Sequence, residues 1–339
     1  MIRINDIKEA TFNELLGQYP FLLSFFDNHV LEVKGNEDRT IEQAIALIDE
    51  EEREDKAIDS ERILSSMVDY INQMLEFLGE SDGNHVKSLT ILPGTDKSGN
   101  PENFESLEIL QSEIVCIVGP TGSGKSRLLG DIEWVAQKDT PTSRSILIND
   151  VVPDLKWRFS AGQKLVAQLS QNMNFVMDLS VEEFLDLHAE SRMISNKEEV
   201  IEKIIIAANN LAGEKFDATR PITSLSGGQS RALMIADTAI LSKSPVVLID
   251  EIENAGIDRK QALNLLTGEE KIVLMATHDP ILALMGDKRI VIKNGGIHKV
   301  IKTTAEEKKL LKELEKTDEY IQRLRTLLRT GERLNESNL

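Results

Sequence analysis

A glycine-rich segment that ends in a lysine and a serine could hold the phosphates of a nucleotide. It follows an apolar run at residues 114–118, which is typical of a buried parallel strand, and a helical pattern begins after it. Glycines let backbone N–H groups turn towards phosphate oxygens, a lysine adds positive charge, and a serine hydroxyl can bind Mg²⁺. The residues predicted to bind the phosphates are Gly119, Pro120, Thr121, Gly122, Ser123, Gly124, Lys125 and Ser126, of which Ser126 is also a predicted metal ligand.

Two adjacent carboxylates end a second apolar run, at residues 246–249. An Asp at the carboxyl end of a buried strand is placed to hold the Mg²⁺ that a phosphate-binding serine also contacts. This favours Asp250 as a metal ligand. Glu251 points to the other side of the strand and can polarise an attacking water as general base.

A second Gly-rich motif opens a helical pattern that continues to residue 236. Two glycines behind a serine at a helix start form another anion site. A single terminal phosphate does not need two such sites from one subunit. The residues of this second predicted nucleotide-binding motif are Ser226, Gly227, Gly228 and Gln229.

Along the chain the motifs follow in the order 119–126, 226–229 and 250–251, with a Gln between the first two and a His after the last. In this order they resemble the ATP-binding-cassette (ABC) ATPases over roughly residues 86–300. The resemblance implies that His278 contacts the terminal phosphate of ATP and holds the attacking water. It implies that Gln171 reaches both Mg²⁺ and that water, with Gln163 and Gln168 as alternatives. It also implies a dimer, most simply a homodimer, with two ATP molecules between the subunits and Asp258 crossing to the partner's site.

Some positions depart from the usual ABC pattern. Residues 252–258 lack the proline that transporter cassettes usually carry there. The sequence of residues 250–254 is more similar to soluble ATPases of the DNA-maintenance kind than to importers. Arg127 replaces the usual threonine after the Lys-Ser pair. Upstream of residue 119, the candidate for stacking on adenine is Phe104.

The composition suggests three folded parts within the 339 residues. An acidic α-helical domain at 1–80 is joined by a linker at 81–86 to a cassette at 87–301, and a helix at 302–334 follows. The cassette contains a helical subdomain at about 172–225. No apolar run approaches the roughly 18–20 residues of a membrane span, and no signal peptide opens the chain. The single cysteine, Cys116, is interpreted as a small buried apolar residue. These features favour a cytoplasmic protein.

The front segment carries most of the negative charge. Residues 1–82 hold seven Lys and Arg against twenty Asp and Glu, which is thirteen of the eighteen net negative charges. Such a segment repels nucleic-acid phosphates, so nucleic acid is an unlikely partner. The acidic run is either a solvated face or a docking surface for a basic protein.

Aromatic residues indicate that the front segment is nevertheless folded. Four of the ten Phe lie within fifteen residues, and residues 41–48 and 63–78 have helical periodicity. The order of these elements is faintly similar to small helical domains attached to metallocofactor and redox proteins. Those domains often carry a Cys, which is missing here.

The C-terminal segment has a heptad-like seam. It either packs as one amphipathic helix on its own chain or pairs with a partner helix. The seam consists of Leu310, Leu314, Thr317, Ile321, Leu324 and Leu328.

The sequence therefore predicts an α/β P-loop ATPase domain of the ABC type with a helical subdomain, an N-terminal α-helical domain and a C-terminal helix. The leading hypothesis is an ATPase that uses ATP, Mg²⁺ and dimer closure to remodel or activate a soluble protein bound by residues 1–80. One alternative is the ATP-binding subunit of a transporter whose membrane permease is a separate chain. A second alternative is an ABC ATPase of DNA maintenance.

Overall fold

The computed structural model describes residues 2–29, 31–50, 53, 59–78, 86–154, 156–159, 164–169, 175–194, 196–250 and 256–333. Contacts between Cα atoms divide the chain into two compact units. The first unit consists of Met1–His85 and two later segments, of which Leu179–Lys203 is described. The second contains Val86–Phe159, Lys164–Asp178 and Ile204–Leu339, and therefore both glycine-rich motifs.

The first unit is helical and has its own apolar core. Thr11 and Thr40 each begin a helix with a capping box, in which the threonine hydroxyl accepts from the backbone N–H three residues later. The core is aromatic, with the rings of Phe12 and Phe26 centred 4.8 Å apart. The helices are α1 (Ile4–Ile7), α2 (Phe12–Gln18), α3 (Leu22–Asn28), α4 (Ile41–Ala46) and α5 (Ser60–Leu78).

The second unit contains two sheets in its described part. Three antiparallel strands form one sheet in the order β2-β1-β4, and six strands form the other in the order β5-β6-β7-β3-β8-β9. The strands are β1 (Ser88–Leu92), β2 (Leu107–Leu110), β3 (Ile114–Val118), β4 (Ser145–Ile148), β5 (Val166–Leu169), β6 (Val246–Asp250), β7 (Ile272–Ala276), β8 (Lys288–Lys293) and β9 (Gly296–Lys302).

The topology of the larger sheet brings the predicted chemistry to one edge. Its strands are parallel from β5 to β8, and only β9 is antiparallel to its neighbour. Because β6, β7 and β3 are adjacent and parallel, their carboxyl ends lie side by side. Those ends lead into Asp250, into Thr277 and His278, and into the loop that starts at Gly119.

The helices of the rest of the chain confirm the predicted fold class. The helix after the phosphate-binding segment starts at Lys125, inside that segment, and ends at Glu133. The helices are α6 (Lys125–Glu133), α7 (Lys156–Phe159), α8 (Val181–Ser191), α9 (Lys197–Leu211), α10 (Gly227–Ile240), α11 (Arg259–Gly268), α12 (Pro280–Met285) and α13 (Ala305–Arg329). No helix in these ranges is long and apolar enough to cross a membrane.

The C-terminal helix α13 packs on α12 of its own cassette. It uses a largely polar face, with ion pairs from Glu307 to Arg289 and from Asp318 to Arg259. The predicted seam is not the packed face, because three of its members are more than 40% exposed: Leu310, Ile321 and Leu328. Of the two alternatives that the sequence left open, packing within the chain is present in this structure.

A buried arginine joins the parts of the cassette. Arg144 precedes β4 and is fully buried. Its guanidinium donates to both carboxylate oxygens of Glu102, at 3.0 and 2.6 Å, to Asp131 Oδ2 at 2.8 Å and to the carbonyl oxygen of Gly295 at 2.9 Å. It therefore ties the loop after β1, helix α6 and the turn between β8 and β9 to one point.

The pKa of Glu102 reflects this network. Burial alone would raise the pKa of its carboxyl, but hydrogen bonds from Arg144 and from the backbone N–H groups of Ile297 and Gly94 outweigh burial and hold the pKa below its usual value. By contrast, burial raises the pKa of the Cys116 thiol to about 12, so this cysteine stays protonated and acts as an apolar side chain, as predicted.

We expect Arg144→Met to lower the free energy of unfolding by about 3–5 kcal/mol at pH 7, because it leaves two buried carboxylates without their cation. Urea denaturation checks this value. Lys260→Met is the control, since the ion pair of the 65% exposed Lys260 with Glu315 is worth about 1 kcal/mol or less.

The stabilisation by the Arg144 network should also depend on pH. The lowered pKa of Glu102 stabilises the fold above the unfolded pKa of about 4.3, and this stabilisation is lost as the pH falls through the folded value. The difference between wild type and Arg144→Met should therefore narrow below about pH 5. A difference below about 1 kcal/mol at pH 7 would mean that the network does not stabilise the cassette.

Candidate functional site

The phosphate-binding segment has a backbone that favours glycine at three positions. Gly119, Gly122 and Gly124 have φ angles of 155°, 76° and 110°. A Cβ at Gly119 would lie 2.6 Å from the carbonyl oxygen of Ile292, and one at Gly124 would lie 2.7 Å from the Cα of Gly295. The loop is thus pressed against the hairpin of β8 and β9.

Two lysines donate to carbonyl oxygens of this loop. Lys125 is the first residue of α6, and its Nζ donates to the carbonyl oxygen of Gly119 at 2.7 Å. Lys97 comes from the loop after β1, and its Nζ donates to the carbonyl oxygen of Gly122 at 2.8 Å. Two ammonium groups beside a helix N-terminus make the loop favourable for an anion.

A cleft of about 580 Å³ opens over the loop. Ser126 and Asp250 line it together, so a hydroxyl and a carboxylate oxygen face the same space. The sequence-predicted residues that line the cleft are Pro120, Thr121, Gly122, Ser123, Gly124, Lys125, Ser126 and Asp250. The lining residues that sequence reasoning did not assign to it are Lys97, Arg127, Gly130, Asp131, Trp134, Thr140 and Pro141.

The cleft continues along helix α6 beyond the phosphate-binding loop. Arg127, Gly130 and Trp134 follow one another at three- and four-residue spacing, so they share one face of the helix. A Cβ at Gly130 would meet no atom within 4 Å, and Trp134 is 56% exposed. The aromatic residue of the cleft is therefore Trp134, whereas Phe104 packs against the cassette core.

The second glycine-rich motif begins helix α10 away from this cleft. Ser226 caps the helix by accepting from the backbone N–H of Gln229, whose side chain accepts in return from the N–H of Ser226. Ser226 and Gly227 are exposed, while Gln229 is buried and also donates to the carbonyl oxygen of Glu214. None of residues 226–229 lines the cleft of their own chain.

His278 and Asp258 lie at the ends of neighbouring elements. His278 follows β7 and is exposed, and Asp279 beside it caps α12. Asp258 caps α11, where its two carboxylate oxygens accept from the backbone and side-chain N–H groups of Gln261. This capping contact is a structural role that the sequence did not predict for Asp258. Glu251 and Gln171 lie outside the described residues.

The oxygen donors of the cleft fit a magnesium nucleotide. Mg²⁺ binds one or two protein oxygens together with substrate phosphates and water, and does not require a complete protein cage. Accordingly, no group of three or more His, Cys, Asp or Glu that could hold a metal occurs in the described part of the chain. Ser126 and Asp250 could supply the one or two protein oxygens that such a magnesium nucleotide needs.

Comparison with known proteins identifies the family. A model of the ABC transporter family matches residues 104–254. An uncharacterized ABC transporter ATP-binding protein of Methanocaldococcus jannaschii is 51% identical over 254 residues, which are 75% of this chain and 97% of that protein. This chain belongs to the ABC ATPase family.

Two further relatives of this ABC ATPase are named for transport. The thiamine import ATP-binding protein ThiQ of Brucella abortus is 31% identical over 196 residues, 56% of this chain and 77% of that protein. The solved structure of cbiO1 from Clostridium perfringens, described as part of the ABC transporter complex cbiONQ, matches with a TM-score of 0.50 and 22% identity. That match covers 72% of this chain and 98% of cbiO1 and supports the fold.

We expect Gly124→Ala to weaken the binding of a fluorescent ATP analogue more than tenfold. Its Cβ would meet the Cα of Gly295 at 2.7 Å in a left-handed backbone, so the loop has to move. Gly122→Ala is the matched control, because φ is also positive there but no atom lies within 4 Å of the new Cβ. Gly122→Ala should add only backbone strain of about 1–2 kcal/mol to the loop, without a steric clash. Equal binding by the two variants would contradict the packing argument.

Proposed function

We propose that this ABC ATPase hydrolyses ATP with Mg²⁺ at two sites between two copies of the chain. The observation that carries the proposal is the separation of the two anion sites within one chain. The cleft contains one glycine-rich motif, while Ser226 and Gly227 of the other are exposed and lie outside it. A second copy can place its own Ser226 motif over the open cleft, which completes the site by symmetry.

Each site residue has a role in this proposal. The backbone of residues 119–124 and Lys125 hold the phosphates, and Ser126 and Asp250 hold Mg²⁺, directly or through water. Mg²⁺ neutralises charge that develops on the phosphates during transfer. Glu251 takes the proton of the attacking water, and Gln171 and His278 orient that water.

The exposed helix face supports a place for the rest of the nucleotide. Arg127 is close enough in the chain to the phosphate loop to add charge beside it. Gly130 leaves open space, and Trp134 offers an aromatic surface on which a purine can stack. In this proposal Trp134 takes the stacking role that the sequence analysis gave to Phe104, which packs against the core.

We further propose that the chain is the ATP-binding subunit of a system whose second component is a separate membrane protein. The names of two relatives, an ABC transporter ATP-binding protein and a thiamine import ATP-binding protein, support this. The first of them carries more weight, because it is matched over 97% of its length. The energy of dimer closure would then be transmitted to the membrane component. The leading sequence hypothesis, a soluble partner, is the second candidate.

One observation favours the second candidate. The helices of residues 4–78 bury an aromatic core of their own, so they form a folded surface that is strongly acidic. A folded acidic surface suits the recruitment of a basic soluble protein.

We expect the wild-type chain to hydrolyse ATP only with Mg²⁺. Lys125→Ala should lose nucleotide binding, because it removes the charge beside the phosphates. Glu251→Gln should bind ATP but hydrolyse it at least a hundredfold more slowly, because the amide cannot accept the proton of water.

Light scattering should find Glu251→Gln dimeric with ATP and monomeric without it. Wild-type turnover by Glu251→Gln would remove Glu251 from the mechanism, and a monomer at saturating ATP would contradict the shared site.

Capture from native cells distinguishes the two kinds of partner. Tagged Glu251→Gln with ATP should retain an integral membrane protein in a fixed ratio after detergent extraction, and Lys125→Ala should not. Recovery of a soluble protein alone, lost on deletion of residues 1–80, would replace the transport proposal with the second candidate. The ATPase assay of the deletion variant controls for the integrity of the cassette.

A further inference from the structure

One arginine near the predicted catalytic histidine joins its own helix to two other segments. Arg259 is the first residue of α11 and follows Asp258. Its guanidinium donates to Asp279 Oδ2 at 2.7 Å and to Asp318 Oδ2 at 2.7 Å. The three side chains are only 19%, 19% and 29% exposed. We call this three-residue contact the Arg259 bridge.

On one side, the bridge ends beside His278. The second carboxylate oxygen of Asp279 accepts from the backbone N–H groups of Ile281 and Leu282, at 2.7 and 3.4 Å. The backbone N–H of Asp279 donates to Thr277 Oγ1 at 3.0 Å. The carboxylate is thus fixed to its own loop at several points, so a shift of Asp279 also shifts the residue before it, His278.

On the other side, the bridge ends on the C-terminal helix. Asp318 lies near the middle of α13 and is the most C-terminal of its acidic contacts with the cassette, after Glu307 with Arg289 and Glu315 with Lys260. Asp318 itself is 29% exposed, so this contact is partly shielded from solvent.

The chemistry of the bridge requires a guanidinium. Its planar fork presents separate N–H groups to two carboxylates in fixed directions, which a lysine ammonium does not do. Removing Asp318 leaves Arg259 free to reorient on Asp279 alone. Removing the neighbouring pair of Glu315 and Lys260, which is longer at 3.4 Å and involves a 65% exposed lysine, leaves Arg259 with both partners.

We propose that Arg259 is a positioning residue through which docking of the C-terminal helix sets the place of His278 and hence the rate of ATP hydrolysis. The inference rests on the proposed function, because it assigns His278 to the attacking water. The nucleotide touches neither Arg259 nor α13 in this scheme. The bridge should act on turnover and leave nucleotide affinity unchanged.

The test compares Asp318→Asn with the matched control Glu315→Gln in the full chain. Asp318→Asn should lower kcat about five- to tenfold while KM and the Kd for a fluorescent ATP analogue stay within twofold. Glu315→Gln should stay within twofold in all three. Arg259→Lys should resemble Asp318→Asn, because the positive charge remains but the fork is lost. Equal losses of kcat in Asp318→Asn and Glu315→Gln, or an unchanged kcat in Asp318→Asn, would contradict the proposal.

Hydrogen exchange gives a second measurement that does not require turnover. Asp318→Asn should speed amide exchange at residues 279–285, and Glu315→Gln should not. If the wild type hydrolyses no ATP but exchange still follows this pattern, the proposed function fails while the bridge stands. If turnover is normal and exchange is insensitive to Asp318, the bridge fails alone.

Discussion

The buried Arg144 network holds the frame on which the nucleotide cleft depends. Its guanidinium joins Glu102, Asp131 and the carbonyl of Gly295, three groups that are distant in sequence and belong to different elements. Asp131 also lines the cleft, and Gly295 is the residue against which Gly124 packs. Charges buried this deeply are tolerated only when every partner is in place. The position of the phosphate loop thus depends on an arginine that does not itself line the cleft.

The sequence predicted the order of elements at the cleft because that order is local. An apolar run, a glycine loop and a helix are short-range patterns, and parallel strands bring their carboxyl ends together by topology. The network of Arg144 could not be predicted in this way. Its arginine lies in an ordinary turn-like stretch, and nothing in the spacing of residues 102, 131 and 144 marks them as partners.

The C-terminal helix illustrates why an apolar pattern can indicate the wrong face. The heptad rule assumed that leucines mark the buried side of the helix. In the structure, the docked side is marked by Glu307 and Asp318, because the cassette presents arginines there. Likewise, Gln229 and Asp258 were predicted as ligand or communication residues, and both take up capping bonds on their own helices. Their roles towards nucleotide and partner stay predictions.

The contact between Gly124 and Gly295 carries an evolutionary consequence. The turn of the β8–β9 hairpin holds Asn294 and Gly295 at φ angles of 50° and 81°, and a Cβ at Gly295 would also collide with the side chain of Lys97. A surface hairpin turn normally drifts freely in sequence and length. Here the turn forms a wall of the nucleotide loop because Gly124 packs against Gly295, so a change in one segment displaces the other. A lineage that lengthened this turn would have to rebuild the loop at Gly124 in the same step.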